Sequence, residues 1–269
     1  MSPCPMLRPY IEKYYILEYQ GTATGQPFEV ASPANCYAAL VFNYQSDYQL
    51  CHANGHEQRL SGSFIAGYST EGYRIRLRGT VGMVGVVFKS SIFRTWFPAL
   101  TNADINDQRI QLPDLVGSEV EFINDQLAEA ENHTERIQLV ESYLMYRLRK
   151  THLPTHMADH ALNIILQKRG MIRMDDLAGM VNISPRHLRR VFSERVGLSP
   201  KFFARLKRFG YINIILSLNK DLHWQEFTID GGFYDQSHFI KDFVQFCGHT
   251  PSVQILKNRH FQHSVLTNG

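Results

Sequence analysis

Over the first hundred residues, short apolar stretches are broken every few positions by Gly, Pro, Asn and Asp. The stretches 37–44, 63–68, 73–78 and 83–89 are of strand length and rich in β-branched and aromatic residues, which suit a pleated and half-buried surface. Glycines between them serve as turns or bulges. This pattern predicts a mainly β sandwich or barrel, with one short helix over 90–97 ended by Pro98.

From residue 113 to 150 the period becomes helical. Val116, Val120, Ile123 and Leu127, then Ile137, Val140, Tyr143, Leu144 and Leu148, recur three or four apart. Residues 131–134 separate the two runs, and Asn132 with Glu135 three positions on resembles a capping box. An antiparallel helical hairpin follows, whose role is either to cover a face of the sheet or to offer a dimerisation face. Residues 149–154 read as a linker, because Pro154 disfavours helix at its predecessor. Beyond it, helical segments are expected at 156–169, 174–181, 185–196, 200–218, 223–230 and 236–246, with a weak tail after Pro251. The fold class is α+β in two domains: a β-barrel or sandwich-like domain with a helical hairpin at 1–150, a linker at 151–155, and an all-α domain at 156–269.

Composition agrees with this division. A chain of 269 residues suggests two domains, and 44% hydrophobic with 20% charged residues argues against wholesale disorder. No apolar run approaches the ~18 residues of a membrane span, and the N-terminus lacks an apolar signal core. A cytoplasmic protein without membrane contact is expected. Cys4, Cys36, Cys51 and Cys247 form neither a disulfide framework nor a C-x-x-C pair. The formal charge of +3 conceals an asymmetry: residues 1–150 hold 13 Lys+Arg against 16 Asp+Glu, a net −3, and residues 151–269 hold 15 against 9, a net +6. Nine of the 12 histidines also follow residue 150. The second half is therefore the one suited to a polyanion.

Two stretches of that half share a design. In the first, Asp175, Asp176, Leu177 and Ala178 lead through Asn182 to Ser184 and Pro185, an N-cap and first helical position. Leu188, Val191 and Phe192 form an inward stripe, which leaves Arg186, Arg189 and Arg190 outside, a helix-turn-helix arrangement. Asn182 occupies the turn, where a left-handed backbone is often needed. In the second, Gly232 turns the chain and Asp235 caps a helix with Phe239, Phe243 and Phe246 inward. Gln236, Ser237, His238 and Lys241 then face out. Gln suits bidentate contact with adenine, and Arg contact with guanine or phosphate. Between the two units, Ser199 and Pro200 start a helix to about Leu218, roughly 28 Å long at ~1.5 Å per residue. Such a strut could hold two recognition helices near one DNA turn apart, ~34 Å.

These residues resemble the AraC/XylS transcription regulators over roughly 156–260. The resemblance rests on Leu177-Ala178, the run from Ile183 through Ser184, Pro185, Arg186, His187, Leu188, Arg189 and Arg190 to Phe192, Gly197-Leu198-Ser199-Pro200, Gly232 to Phe239, Phe243, and Gly248-His249-Thr250-Pro251. It implies two helix-turn-helix units on a long helix behind a β-rich regulatory domain, with double-stranded promoter DNA and RNA polymerase as partners, a small-molecule effector, and a homodimer as a possible assembly. By position, Arg186, Arg189 and Arg190 would read bases or phosphates for the first unit and Gln236, Ser237, His238 and Lys241 for the second, with Ser184 and Lys201 at the DNA backbone. The chain departs from the family pattern at Phe227-Thr228, where an Ile-Ala pair is usual, at the adjacent Gly231-Gly232, and at Gly210 inside the strut. A looser second unit, with the first dominating affinity, is the expectation. The N-terminal half is similar to the sensory domains of one AraC-like group in Leu7-Arg8-Pro9-Tyr10, Val86-Val87-Phe88 and the helical pair, and names no ligand.

Other features carry rival readings. Arg74, Arg76 and Arg78 alternate with Ile75 and Leu77 and share one strand face, either solvated or an anion-binding lining of the barrel. Cys36, Cys51, His52 and His56 could be imagined as a zinc set, but their spacing matches no compact knuckle. His152, His156 and His160 recur every four residues, with Pro154 breaking the helix before His156. No catalytic or cofactor-binding fingerprint is found, so neither an active site nor a cofactor is expected. The alternatives to a DNA-binding regulator are a metal-dependent enzyme carrying a DNA-binding domain and a protein-interaction module. Effector, operator, and the choice between activation and repression lie beyond the residues.

Overall fold

The computed structural model describes residues 2–21, 26–89, 93, 96–97, 100, 102–149, 156–218, 233 and 235–254. Nine strands form two antiparallel sheets among these residues. They are β1 (Ile11–Tyr19), β2 (Phe28–Ser32), β3 (Ala39–Asn43), β4 (Tyr48–His52), β5 (Glu57–Leu60), β6 (Phe64–Ala66), β7 (Tyr73–Leu77), β8 (Val81–Phe88) and β9 (Arg109–Gln111). One sheet has the order β1-β8-β3-β6-β9 and the other β2-β7-β4-β5. All four strand-length stretches predicted from sequence contain a strand.

β8 is buried along its whole length, which explains why its sequence reads as a continuous apolar run. Its alternate side chains enter two cores. Val84, Val86 and Phe88, with Leu40 and Phe42 of β3, meet helices. Val81 and Met83, with Ala39 and Val41, meet Tyr48, Leu50, Leu60 and Leu77 of the second sheet. The space between the sheets is thus filled by side chains, as in a sandwich.

Short helices α1 (Asn102–Ile105) and α2 (Pro113–Val116) lead to α3 (Glu119–Glu129) and α4 (His133–Arg149). The last two are the predicted hairpin, and it covers the five-stranded sheet. Val120, Ile123, Leu127, Ile137, Val140 and Leu144 pack on the β3 and β8 side chains, and the Tyr143 ring meets Phe42 edge-on at 5.6 Å. Asn132 caps α4 by accepting from the Glu135 N–H at 3.0 Å, while the Glu135 carboxylate accepts from Glu131 N–H at 2.8 Å. The second bond falls one residue before the position a capping box requires. On the outer face of the hairpin Phe122 stays 69% exposed.

The second half is helical: α5 (Met157–Gln167), α6 (Met174–Met180), α7 (Pro185–Val196), α8 (Pro200–Leu218) and α9 (Gln236–Cys247). The helix expected at 223–230, the 151–155 linker and the tail beyond residue 254 lie outside the described residues, as does most of the short helix expected at 90–97. Within that last stretch Phe93 and Trp96 are buried and helical, and the Phe97 N–H reaches the Phe93 carbonyl at 2.9 Å.

Two loops of the β-half meet with no room for a side chain. A Cβ at Gly67 would lie 1.1 Å from the Ile105 carbonyl oxygen, and the Gly67 N–H bonds to the Gln108 carbonyl at 3.3 Å. Since backbone must shift to accept any side chain, Gly67→Ala is expected to cost about 2 kcal/mol or more. A lowered urea midpoint at unchanged slope is the measurement, and an unchanged midpoint contradicts the packing described.

Candidate nucleic-acid interface

The first helix-turn-helix begins with α6, whose Leu177 and Ala178 are buried. The chain then turns at Asn182 with φ 61°, the left-handed conformation expected there. The Ser184 hydroxyl accepts from the His187 N–H at 3.2 Å, and Pro185 occupies the first helical position. Leu188, Val191, Phe192 and Val196 are buried. Their spacing places Arg186, Arg189 and Arg190 on the opposite face, where all three are exposed. Arg190 donates to both oxygens of Glu194 at 3.0 and 3.2 Å. Both partners are exposed, so the pair contributes little and can yield to a phosphate. Arg195 faces the other way and pairs with Asp159 at 3.2 Å, tying α7 to α5.

The second recognition helix repeats the design. The Asp235 carboxylate caps α9 by accepting from the His238 N–H at 2.7 Å. Phe239, Phe243 and Phe246 are buried against α8. Gln236, Ser237 and Lys241 are exposed. His238 differs from the sequence reading: it is half-buried, its ring lies edge-on to Phe233 at 5.6 Å, and its Nε2 is 3.8 Å from Asp242. Lys201 is exposed in the first turn of α8, beside the Ser199 cap.

Asp242 is the residue that sequence reasoning missed. It is 1% exposed, and Arg205 of α8 donates to it through Nη2 at 2.6 Å and Nε at 3.1 Å. Arg208 adds a contact at 3.6 Å while its guanidinium lies 4.1 Å from the Phe233 ring centroid. Burial lowers the Arg208 pKa, and the neighbouring Asp242 opposes that shift. The network fastens the recognition helix to the strut. The available signal was one carboxylate inside an aromatic stripe, with two arginines three apart on the preceding helix.

Gly210 lies in α8 with open space where a Cβ would sit, so no packing reason for it is found. The departures at Phe227-Thr228 and Gly231-Gly232 lie outside the described residues, as do Tyr234 and His152. His156 caps α5, its Nδ1 accepting from the Ala158 N–H at 3.1 Å.

The anion-lining reading of Arg74, Arg76 and Arg78 requires their face to point inward, and it does not. Ile75 and Leu77 pack between the sheets. Outside, Arg76 pairs with Glu29 at 2.8 Å and Glu57 at 2.7 Å, and Arg74 with Glu29 at 3.5 Å. Cys51 lies by Glu57, whereas Cys36 packs against the helical cores with its thiol pKa pushed up to about 11 by burial. Among the described residues no group of three His, Cys, Asp or Glu could hold a metal ion. No helix among them is long and apolar enough to cross a membrane.

Two family models match the chain: a domain of unknown function, DUF6597, over residues 1–111, and a helix-turn-helix domain over residues 177–254. No curated protein matches. Among solved structures, ToxT from Vibrio cholerae is similar at 10% identity over 91% of this chain and 97% of that one, with a TM-score of 0.49. The C-terminal domain of AraT, a response regulator from Geobacillus stearothermophilus, is similar at 19% identity over 38% of this chain and 86% of that one, at 0.36. The AraC-like transcriptional activator CuxR is similar at 12% identity over 71% of this chain and 79% of that one, at 0.28. With its capped recognition helices on one strut and the family match over 177–254, the chain is a DNA-binding transcription regulator carrying a helix-turn-helix domain.

Proposed function

We propose that α7 and α9 enter two successive major-groove segments of promoter DNA. Arg186, Arg189 and Arg190 read bases or phosphates from the first, Gln236, Ser237 and Lys241 from the second, and Ser184 and Lys201 hold the backbone. The observation that carries this reading is the pairing of two capped helices, each with its apolar face sunk in a core shared with α8 and its cationic or polar face in solvent. His238, its side chain 42% exposed, is a fourth reader on α9 and also lies beside Asp242.

The division into residues 1–150 and 156–269 joined at 151–155 belongs to this proposal, with the first part tuning the second. An effector that alters DNA binding must bind two states of the chain differently. A cleft of about 330 Å³ between the halves suits that role better than the filled sandwich. It is lined by Lys13, Cys36 and Tyr37 from one side and Arg169, Lys207 and Tyr211 from the other. Lys13, Arg169 and Lys207 outnumber Glu12 in the lining, which favours an anion. The reading places the chain in the cytoplasm, near RNA polymerase at the promoter and without enzymatic chemistry. One chain covers two adjacent segments, and a homodimer would double the site.

Salt dependence tests it. Five cations (Arg186, Arg189, Arg190, Lys201 and Lys241) face the proposed DNA, and each phosphate neutralised contributes about −0.9 to the slope of log affinity against log salt. A slope between about −3 and −5 is expected for a duplex selected by the protein from a random pool. Affinity indifferent to salt overturns the interface.

A further inference from the structure

We infer that two residues of the β-half, Tyr68 and Asn106, are positioning residues for the first recognition helix. Both lie in the stretch matched by the first family model and outside the helix-turn-helix match. This inference rests on the function proposed above.

Tyr68 follows β6, yet its side chain belongs to the core of the helical half. It is 1% exposed and clusters with Leu162 and Ile165 of α5, Leu177 of α6, Leu188 and Phe192 of α7, and Phe203 of α8. Its ring meets Phe203 edge-on at 5.6 Å, and Phe203 meets Phe192 in the same manner at 5.8 Å. An aromatic chain therefore runs from the β-half to the inward face of α7, opposite its arginines. Asn106 reaches the same helix from its end. The Asn106 Nδ2 donates to the carbonyl of Gly197, the left-handed residue that closes α7. That carbonyl has no partner within the helix, so the side chain supplies one from outside.

The two residues are presented as one rigid unit. The Asp107 N–H bonds to the Tyr68 carbonyl at 2.8 Å, Asp107 adopts φ 57°, and its carboxylate accepts from the Thr70 N–H at 2.7 Å and from the Thr70 hydroxyl. With Gly67 pressed on Ile105, the 67–70 and 105–108 loops have little freedom to separate. Any displacement of this corner carries Tyr68 and Asn106 together against α7. The ring alone accounts for the packing, because the Tyr68 hydroxyl is buried with no hydrogen-bond partner among the described residues. A phenylalanine is therefore expected to substitute without loss, since an unsatisfied buried hydroxyl is itself unfavourable.

The test uses the full chain and a duplex it selects from a random pool, with hydroxyl-radical footprints of both halves of the site. The half read by α7 is the one whose protection weakens in Arg186→Ala, and the half read by α9 is the one that weakens in Gln236→Ala. Tyr68→Ala and Asn106→Ala are each expected to raise the concentration needed to protect the α7 half about tenfold, equal to about 1.4 kcal/mol. The α9 half should stay within about twofold, and Tyr68→Phe should behave as the parent. If Tyr68→Ala does not fold, Asn106→Ala carries the test alone, since it removes one hydrogen bond and little packing. Equal weakening of both halves, or no weakening of either in the folded variants, overturns the inference. Failure of the parent to select any duplex overturns the proposed function, and the inference with it.

Discussion

Asp242→Ala is expected to release the second recognition helix from its strut, lowering stability by about 3–5 kcal/mol, because removing one partner of a buried ion pair leaves the other charge uncompensated. The lower end of that range is favoured, since Arg205 is partly exposed and can recover water, while Arg208 is 9% exposed and cannot. The loss should appear as a lowered urea midpoint, together with loss of protection over the DNA half read by α9. Asp242→Asn keeps the shape and one acceptor but removes the charge that faces Arg205, Arg208 and His238, so it should fall between the parent and the alanine variant. A parent-like midpoint for Asp242→Ala would show that α9 is held by Phe239, Phe243 and Phe246 alone.

The second large effect concerns affinity. Arg186 and Arg189 project from α7 with no ion pair to any described residue, whereas Arg190 must first leave Glu194. Arg186→Ala combined with Arg189→Ala is therefore expected to cost roughly 2–6 kcal/mol of binding, at about 1–3 kcal/mol per base-reading contact. The stability of the fold should be unchanged, because both side chains lie in solvent. The pair Gln236→Ala with Lys241→Ala should cost less if the first unit dominates affinity. Binding of the selected duplex, measured by mobility shift in one buffer, ranks the two double variants. A greater loss from the Gln236 and Lys241 pair reverses the assignment of the dominant unit.

Much of the geometry of α7 and α9 was legible because its signals are local. Ser184 with Pro185, and Asp235 with His238, are caps decided by residues within three positions of one another. The inward stripes of α7 and α9 follow from a spacing of three and four, and a helix that buries one face must expose the other. Asn182 marked its turn for a similar reason, since few side chains tolerate a positive φ. Around these positions the predicted 185–196 and 200–218 spans coincide with α7 and α8.

The β-half was less legible. Alternation placed Arg74, Arg76 and Arg78 on one face, but no local rule says which face meets the core. That was decided by the partner sheet, which takes Ile75 and Leu77, and by Glu29 and Glu57, which lie 19 or more residues from Arg76 in sequence. The strand order β1-β8-β3-β6-β9 depends likewise on pairings between distant segments.

By itself, then, the sequence of this protein determined the kinds of elements, their caps, the outward arginines and the division of charge between an acidic β-rich half and a basic helical one. Each of these depends on neighbours within about one turn of helix, or on simple counting. Only the tertiary structure decided that Asp242 is buried against α8 and that Tyr68 and Asn106 of the β-half contact the helical half. The physical reason is the same in both cases. Burial, ion pairing and long-range hydrogen bonding depend on which distant groups share a low-dielectric space, and Asp242 meets Arg205 across 37 residues while Asn106 meets Gly197 across 91.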